Sequence, residues 1–175
     1  MTGIKPRSIP FHDEKVLSMF TTNEQLGIKS EDILGETTGA IGLPEFGTEF
    51  VRTILKETKP KSFDDLISIS GLSHGTNVWL GNAQELINKT HLALSQVVTC
   101  RDGIMTNLMK LGVPSETAFS VMETVRKGKG IKDKDLQVIN ECKIPKWYID
   151  SCLKISYLFP KAHATAYVIS AWRVA

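Results

Sequence analysis

Two short stretches of the 175-residue chain carry residue types that could hold an anion. The first is Phe159-Pro160-Lys161-Ala162-His163-Ala164. A proline suits the first position of a helix because its ring fixes φ and it gives up an amide hydrogen that would have no intrahelical partner there. Phe159-Pro160 therefore predicts a break followed by a new helix, with Lys161 and His163 in its first turn. That end carries a positive half-charge and repels cations. A negative ligand would relieve the conflict, since free amides, an ammonium and an imidazole at one helix start form an anion site. Side chains directed into water would satisfy the same sequence at a cost of about half a kcal/mol each. The second stretch is Arg126-Lys127-Gly128-Lys129-Gly130. Cations at a helix C-terminus with glycine just beyond are a stop signal that needs no ligand. Three basic residues interleaved with two small ones also let backbone and side chain approach a phosphate together. The spacing is not that of a Walker loop.

Bond-making chemistry has less support. His12, His74, His91 and His163 are scattered singly, and no H-E-x-x-H, G-x-S-x-G or G-x-G-x-x-G occurs. Cys100, Cys142 and Cys152 fit neither a paired disulfide set nor a close zinc spacing, and read as reduced, buried thiols. The run from Leu66 through Ile69, Ser70, Gly71, Leu72, Ser73 and His74 to Gly75 resembles the hairpin of helix-hairpin-helix modules, whose glycine-rich turn offers amides to a DNA phosphate. Ser73 stands where that family usually has its second hairpin glycine, and an ordinary turn between helices fits equally.

The elements that must position these residues read as helices. Hydrophobic residues make up 42% and charged residues 23%, ordinary values for a globular chain, and a net charge of +2 means that any basic site is local. No apolar run reaches membrane-spanning length and no signal peptide is evident, so the expected location is the cytoplasm without membrane contact. Residues 1–10 are turn-rich, and Asp13 opens one short helix. Residues 21–44 read as loop with a brief strand around Ile41. Thr48 caps a helix bearing Phe50, Val51, Ile54 and Leu55 on one face. Ser62-Phe63-Asp64-Asp65 starts another that Gly71 should end, with Ser73-His74-Gly75-Thr76 as a tight polar turn. Thr76 or Asn77 could cap the next segment. Helices follow around Ile104 and Leu108, closed by Gly112 and Pro114, and from Ser115 with Ala118, Phe119, Met122 and Val125 buried. Pro145 starts one more, with Tyr148, Cys152, Ile155 and Phe159 as its buried face. The last helix is still apolar at Ala175 without a stop signal and reads as cut. The expected fold is mainly α, with an N-terminal arm and loop-rich segment over 1–47, a helical domain over 48–175, and little or no β.

Taken together, Gly42-Leu43-Pro44-Glu45-Phe46-Gly47-Thr48-Glu49-Phe50, Ile69 to Thr76, Val78 to Leu86, Val125 to Gly130 and Phe159 to Ala164 resemble one family along nearly the whole chain. It is the PolC-type replicative DNA polymerase III alpha subunit of Gram-positive bacteria, a C-family polymerase, over its fingers region. Asn77 and Thr165 depart from that family's more usual Asp and Ala. The resemblance implies a larger enzyme that adds deoxynucleotides to a primer with Mg2+ held by palm aspartates that lie outside this chain, as do the segments that meet the sliding clamp. It implies primer-template DNA, the incoming dNTP and the palm as partners. Arg101, Arg126, Lys127, Lys129, Lys161 and His163 would face triphosphate or template phosphates. Ser73, His74, Gly75 and Thr76 would lie near the nascent base pair. No catalytic or metal-binding residue is expected within the chain. A free-standing helix-hairpin-helix-like DNA-binding module and a purely structural helical domain are the competing expectations.

Overall fold

The computed structural model describes residues 3–175; Met1 and Thr2, the start of the turn-rich N-terminal stretch, lie outside the described residues. Among the described residues the chain forms α1 (Glu14–Ser18), α2 (Glu49–Thr58), α3 (Phe63–His74), α4 (Gln84–Thr90), α5 (Arg101–Lys110), α6 (Ser115–Val125), α7 (Asp133–Glu141), α8 (Lys146–Lys154) and α9 (Lys161–Val174). Their only β pairing is one antiparallel bridge between Thr76 and Tyr157. The mainly α expectation holds. Two compact units divide at positions inside α3 and α9: one holds the described residues up to Ser70 with Thr165–Ala175, the other Gly71–Ala164.

In the first unit, loops are held by side chains rather than by regular structure. Asp13 caps α1 by accepting from the amides of Lys15 and Val16 at 2.9 and 3.3 Å. No strand forms around Ile41. Gly39–Gly42 is a 3-10 turn, and a Cβ on Gly39 would stand 3.0 Å from the Met19 carbonyl oxygen. Thr48 caps α2 as its sequence predicts, accepting from the Val51 amide at 3.3 Å. Val51, Ile54 and Leu55 are buried, whereas Phe50 is exposed. Ser62 accepts from the Asp65 amide, and Asp65 answers by accepting from Lys61. An aromatic cluster makes the core: Trp172 stacks on Phe20 with centroids 6.2 Å apart and meets Phe63 edge-on at 5.4 Å. Phe20 meets Phe46 edge-on at 5.1 Å. The Trp172 indole N–H donates to the Pro10 carbonyl at 2.8 Å, giving a buried polar atom its partner.

Glu36 is the unit's buried charge. Its carboxylate accepts from Arg52 Nε at 2.5 Å, from the Thr37 and Thr38 amides at 2.8 and 3.0 Å, and pairs with Lys56 at 2.9 Å. Burial pushes this carboxyl up, but hydrogen bonds from Lys56, Arg52 and the two threonine amides outweigh it and hold the group at about 2. Arg52 also donates to the Gly47 carbonyl.

In the second unit four local expectations fail. Gly71 does not end α3, which runs on to His74. A Cβ at Gly71 would clash with Cys100 Sγ and stand 2.5 Å from the Thr99 carbonyl oxygen. The glycine is there for close approach of the 99–100 backbone, which offsets its weak helix propensity. Consequently Ser73 and His74 are helical, and the hairpin needed by a helix-hairpin-helix module does not form. Thr76 and Asn77 do not cap the next helix: Asn77 has φ +58°, and Trp79–Ala83 is a wide turn broken at Leu80 and Gly81. Phe119 is exposed, and α6 buries Ala118, Val121, Met122, Thr124 and Val125.

The fourth failure shapes the site. α8 buries Tyr148, Ser151 and Cys152 but stops at Lys154, leaving Ile155 extended at φ −70°, ψ 131° and Phe159 only half-buried. Pro160 forbids helical geometry at Phe159, and the released backbone groups of residues 156–159 find partners elsewhere in the unit.

Candidate phosphate-binding site

Residues 156–159 form a short non-helical segment whose successive peptide groups tie down separate parts of the chain. Ser156 N–H donates to the Thr76 carbonyl at 3.0 Å, and Thr76 N–H donates to the Tyr157 carbonyl at 3.0 Å. Leu158 N–H donates to the Arg126 carbonyl at 3.3 Å. Arg101 N–H, opening α5, donates to the Phe159 carbonyl at 3.1 Å. Pro160 then launches α9 with Lys161 and His163 in its first turn. Motifs read separately in the sequence thus converge on one backbone, because a segment that is neither helix nor sheet must have each peptide group satisfied by a different neighbour.

Around this segment the side chains fall into two groups. The end of α3 contributes an aromatic stack. His74 lies on the Phe159 ring with centroids 4.7 Å apart and planes tilted 26°, while His163 meets the same ring edge-on at 6.0 Å. Ser73 Oγ is 3.0 Å from His74 Nδ1. Gly75 is placed by packing, since a Cβ there would clash with Val78 and stand 3.1 Å from the Tyr157 carbonyl oxygen. Thr76 is exposed and uses its backbone in the bridge.

The cations form the second group, and their surroundings contain two carboxylates that the sequence analysis did not single out. Glu123 takes a bidentate pair from Arg126, at 2.5 and 2.8 Å, and a contact from Lys127 at 3.1 Å. Arg126 first, then Lys127, holds the Glu123 carboxyl at about 2, and Glu123 in turn raises the arginine. Asp102 Oδ2 accepts from the Lys161 amide at 2.8 Å and lies 3.7 Å from Arg101 Nε. Lys129 is exposed, and its amide donates to the Thr124 carbonyl at 2.9 Å. Gly128, at φ +68°, seats this basic loop on the non-helical segment: a Cβ there would stand 2.6 Å from the Ser156 carbonyl oxygen. The Glu123 pairing was legible as i,i+3 and i,i+4 spacing. Asp102 reaches across 59 residues and had no local signal.

The arrangement ties the elements that carry the basic residues, and one helix start, to a single short backbone strip. Arg101, Arg126, Lys127, Lys129, Lys161 and His163 all belong to elements hydrogen-bonded to, or continuous with, residues 156–160. Among the described residues no three His, Cys, Asp or Glu side chains converge as a metal ion would require. Nor is any helix of the described residues long and apolar enough to cross a membrane.

Known proteins resemble this chain along its whole length. The family described as bacterial DNA polymerase III alpha subunit finger domain matches residues 1–143. The DNA polymerase III PolC-type of Mycoplasmopsis pulmonis (strain UAB CTIP) is 57% identical over all 175 residues, and that of Staphylococcus aureus (strain MW2) is 53% identical over the same span. The chain covers 12% of the length of each relative.

Proposed function

Because the chain belongs to the bacterial DNA polymerase III alpha subunit finger-domain family, we propose that it serves as the fingers region of a PolC-type replicative DNA-directed DNA polymerase. In this role its basic strip holds the triphosphate of the incoming dNTP or the template phosphates. The observation that carries the proposal is the convergence of the 76, 101, 126 and 161 regions on the backbone of residues 156–160. Phosphoryl transfer depends chiefly on positioning and on offsetting negative charge, so cations on a mobile fingers element are the contribution expected of this part. Ammonium, guanidinium and imidazole groups would orient the non-bridging oxygens and offset the charge that builds on the departing pyrophosphate. Ser73, His74, Gly75 and Thr76 would border the nascent base pair, where small and polar residues permit close approach without reading sequence.

Among the described residues no three His, Cys, Asp or Glu side chains are grouped as a metal ion would require. In our reading the divalent metal that supplies Lewis-acid chemistry, Mg2+, is held by aspartates of the palm. Primer-template DNA, dNTP and the palm are the proposed partners of this part, and the sliding clamp a partner of the enzyme through other segments. The proposed location is the cytoplasm. In the full-length polymerase, Lys161→Ala and His163→Ala should raise the apparent KM for dNTP or lower kcat by about one to three orders of magnitude, each tenfold corresponding to about 1.4 kcal/mol. Steady-state and single-turnover kinetics equal to those of the parent for both variants would remove the assignment.

A further inference from the structure

We infer that Asp102 is a positioning residue for nucleotide binding, an inference that rests on the phosphate-binding role proposed for Arg101, Lys161 and His163. Two bonds join the start of α5 to the start of α9. One is main-chain, from Arg101 N–H to the Phe159 carbonyl at 3.1 Å; the other runs from Lys161 N–H to Asp102 Oδ2 at 2.8 Å. The first bond holds the residue before Pro160, and the second holds the first turn of α9 itself, so the two act at points two residues apart. Asp102 occupies the first turn of α5, where an acid is favoured, and its carboxylate also serves the positive end of α9, so one group stabilises two helix starts. The same Oδ2 lies 3.7 Å from Arg101 Nε. The carboxylate therefore touches the side chain of one proposed phosphate-facing cation and the backbone of another.

The Asp102 oxygen takes the Lys161 amide, so the first turn that carries Lys161 and His163 keeps its direction before any phosphate arrives. About half of the Asp102 side chain is exposed, and exposed charge pairs contribute little to stability. Binding of a triphosphate depends more on this placement, because charge-assisted hydrogen bonds to phosphate oxygens are set by the geometry of the donors. Stability and nucleotide binding should therefore respond differently to loss of this side chain.

The test uses the full-length polymerase with primer-template DNA and dATP opposite template T. Asp102→Ala should raise the KM for dATP about tenfold or more while changing kcat less than about threefold and shifting Tm by no more than about 2 °C. Asp102→Asn keeps an amide oxygen that can accept from Lys161 N–H, and should return KM to within about threefold of the parent. An unchanged KM in Asp102→Ala overturns the inference, as does Asp102→Asn being as impaired as Asp102→Ala, since that would make the charge the acting feature. Lys161→Ala in the same assay separates the two levels. A raised KM there with a parent-like Asp102→Ala sinks positioning alone, whereas parent-like kinetics in both Lys161→Ala and His163→Ala sink the phosphate-binding reading and the inference with it.

Discussion

Gly128 and Gly130 allow one contact at the site to be weighed almost by itself. Both have left-handed backbone, at φ +68° and +66°. Replacement by alanine forces an L side chain into that region at each position, at about 1 kcal/mol apiece. Their surroundings differ. A Cβ on Gly130 would meet Leu153 Cδ2 at 3.5 Å, an ordinary contact, while one on Gly128 would stand 2.6 Å from the Ser156 carbonyl oxygen and 3.0 Å from Ser156 Cα. Neither Ser156 atom can rotate away, because both are backbone. Relief requires the basic loop and the non-helical segment to part by roughly 0.8 Å, judged by ordinary carbon–oxygen contact. Separation on that scale weakens the Leu158 N–H bond to Arg126, now 3.3 Å, which is worth about 1 kcal/mol. Gly128→Ala should then destabilise by about 2–3 kcal/mol and Gly130→Ala by about 1 kcal/mol. Equilibrium urea denaturation of the chain reads these values. In the full-length enzyme, Gly128→Ala should raise the KM for dNTP several-fold more than Gly130→Ala. Equal destabilisation by the two variants would refute the idea that close seating on Ser156 positions the loop.

Further tests address the supports of the site and the core. Glu36→Gln should cost on the order of 3 kcal/mol, the difference between an ordinary 4.5 and its folded value of about 2. Because the folded value is the lower, this stability is present above about pH 4.5 and drains away as pH falls towards 2; a pH series of urea midpoints should be flatter for the variant over that window. Gly71→Ala should destabilise by about 1–3 kcal/mol although alanine is the better helix former, because a Cβ would stand 2.5 Å from the Thr99 carbonyl oxygen; a higher Tm than the parent would contradict that packing. Trp172→Phe removes the N–H that donates to Pro10 and should lower unfolding free energy by about 1–2 kcal/mol, measured by the same denaturation.

Much of the molecule could be read locally. The helical class, the cap at Thr48, the break before Pro160 and the placement of Lys161 and His163 in a first turn follow from φ restrictions, capping chemistry and apolar period, which act within a few residues. Family membership was legible too, because it rests on ordered blocks of sequence rather than on contacts. Tertiary structure decided the rest. Gly71 reads locally as a stop, yet α3 passes through it because the 99–100 backbone occupies the space a side chain would fill. Ile155 to Phe159 continue an apolar helical spacing, yet these residues are not helical, and Thr76, Arg126 and Arg101 supply backbone partners that no helix could offer together. Asp102 gave no sign of its role, since the amide it accepts from lies 59 residues away. Local propensities are worth tenths to about one kcal/mol per residue. A set of satisfied peptide groups and a close-packed backbone contact outweighs them, and only the folded chain brings those partners within reach.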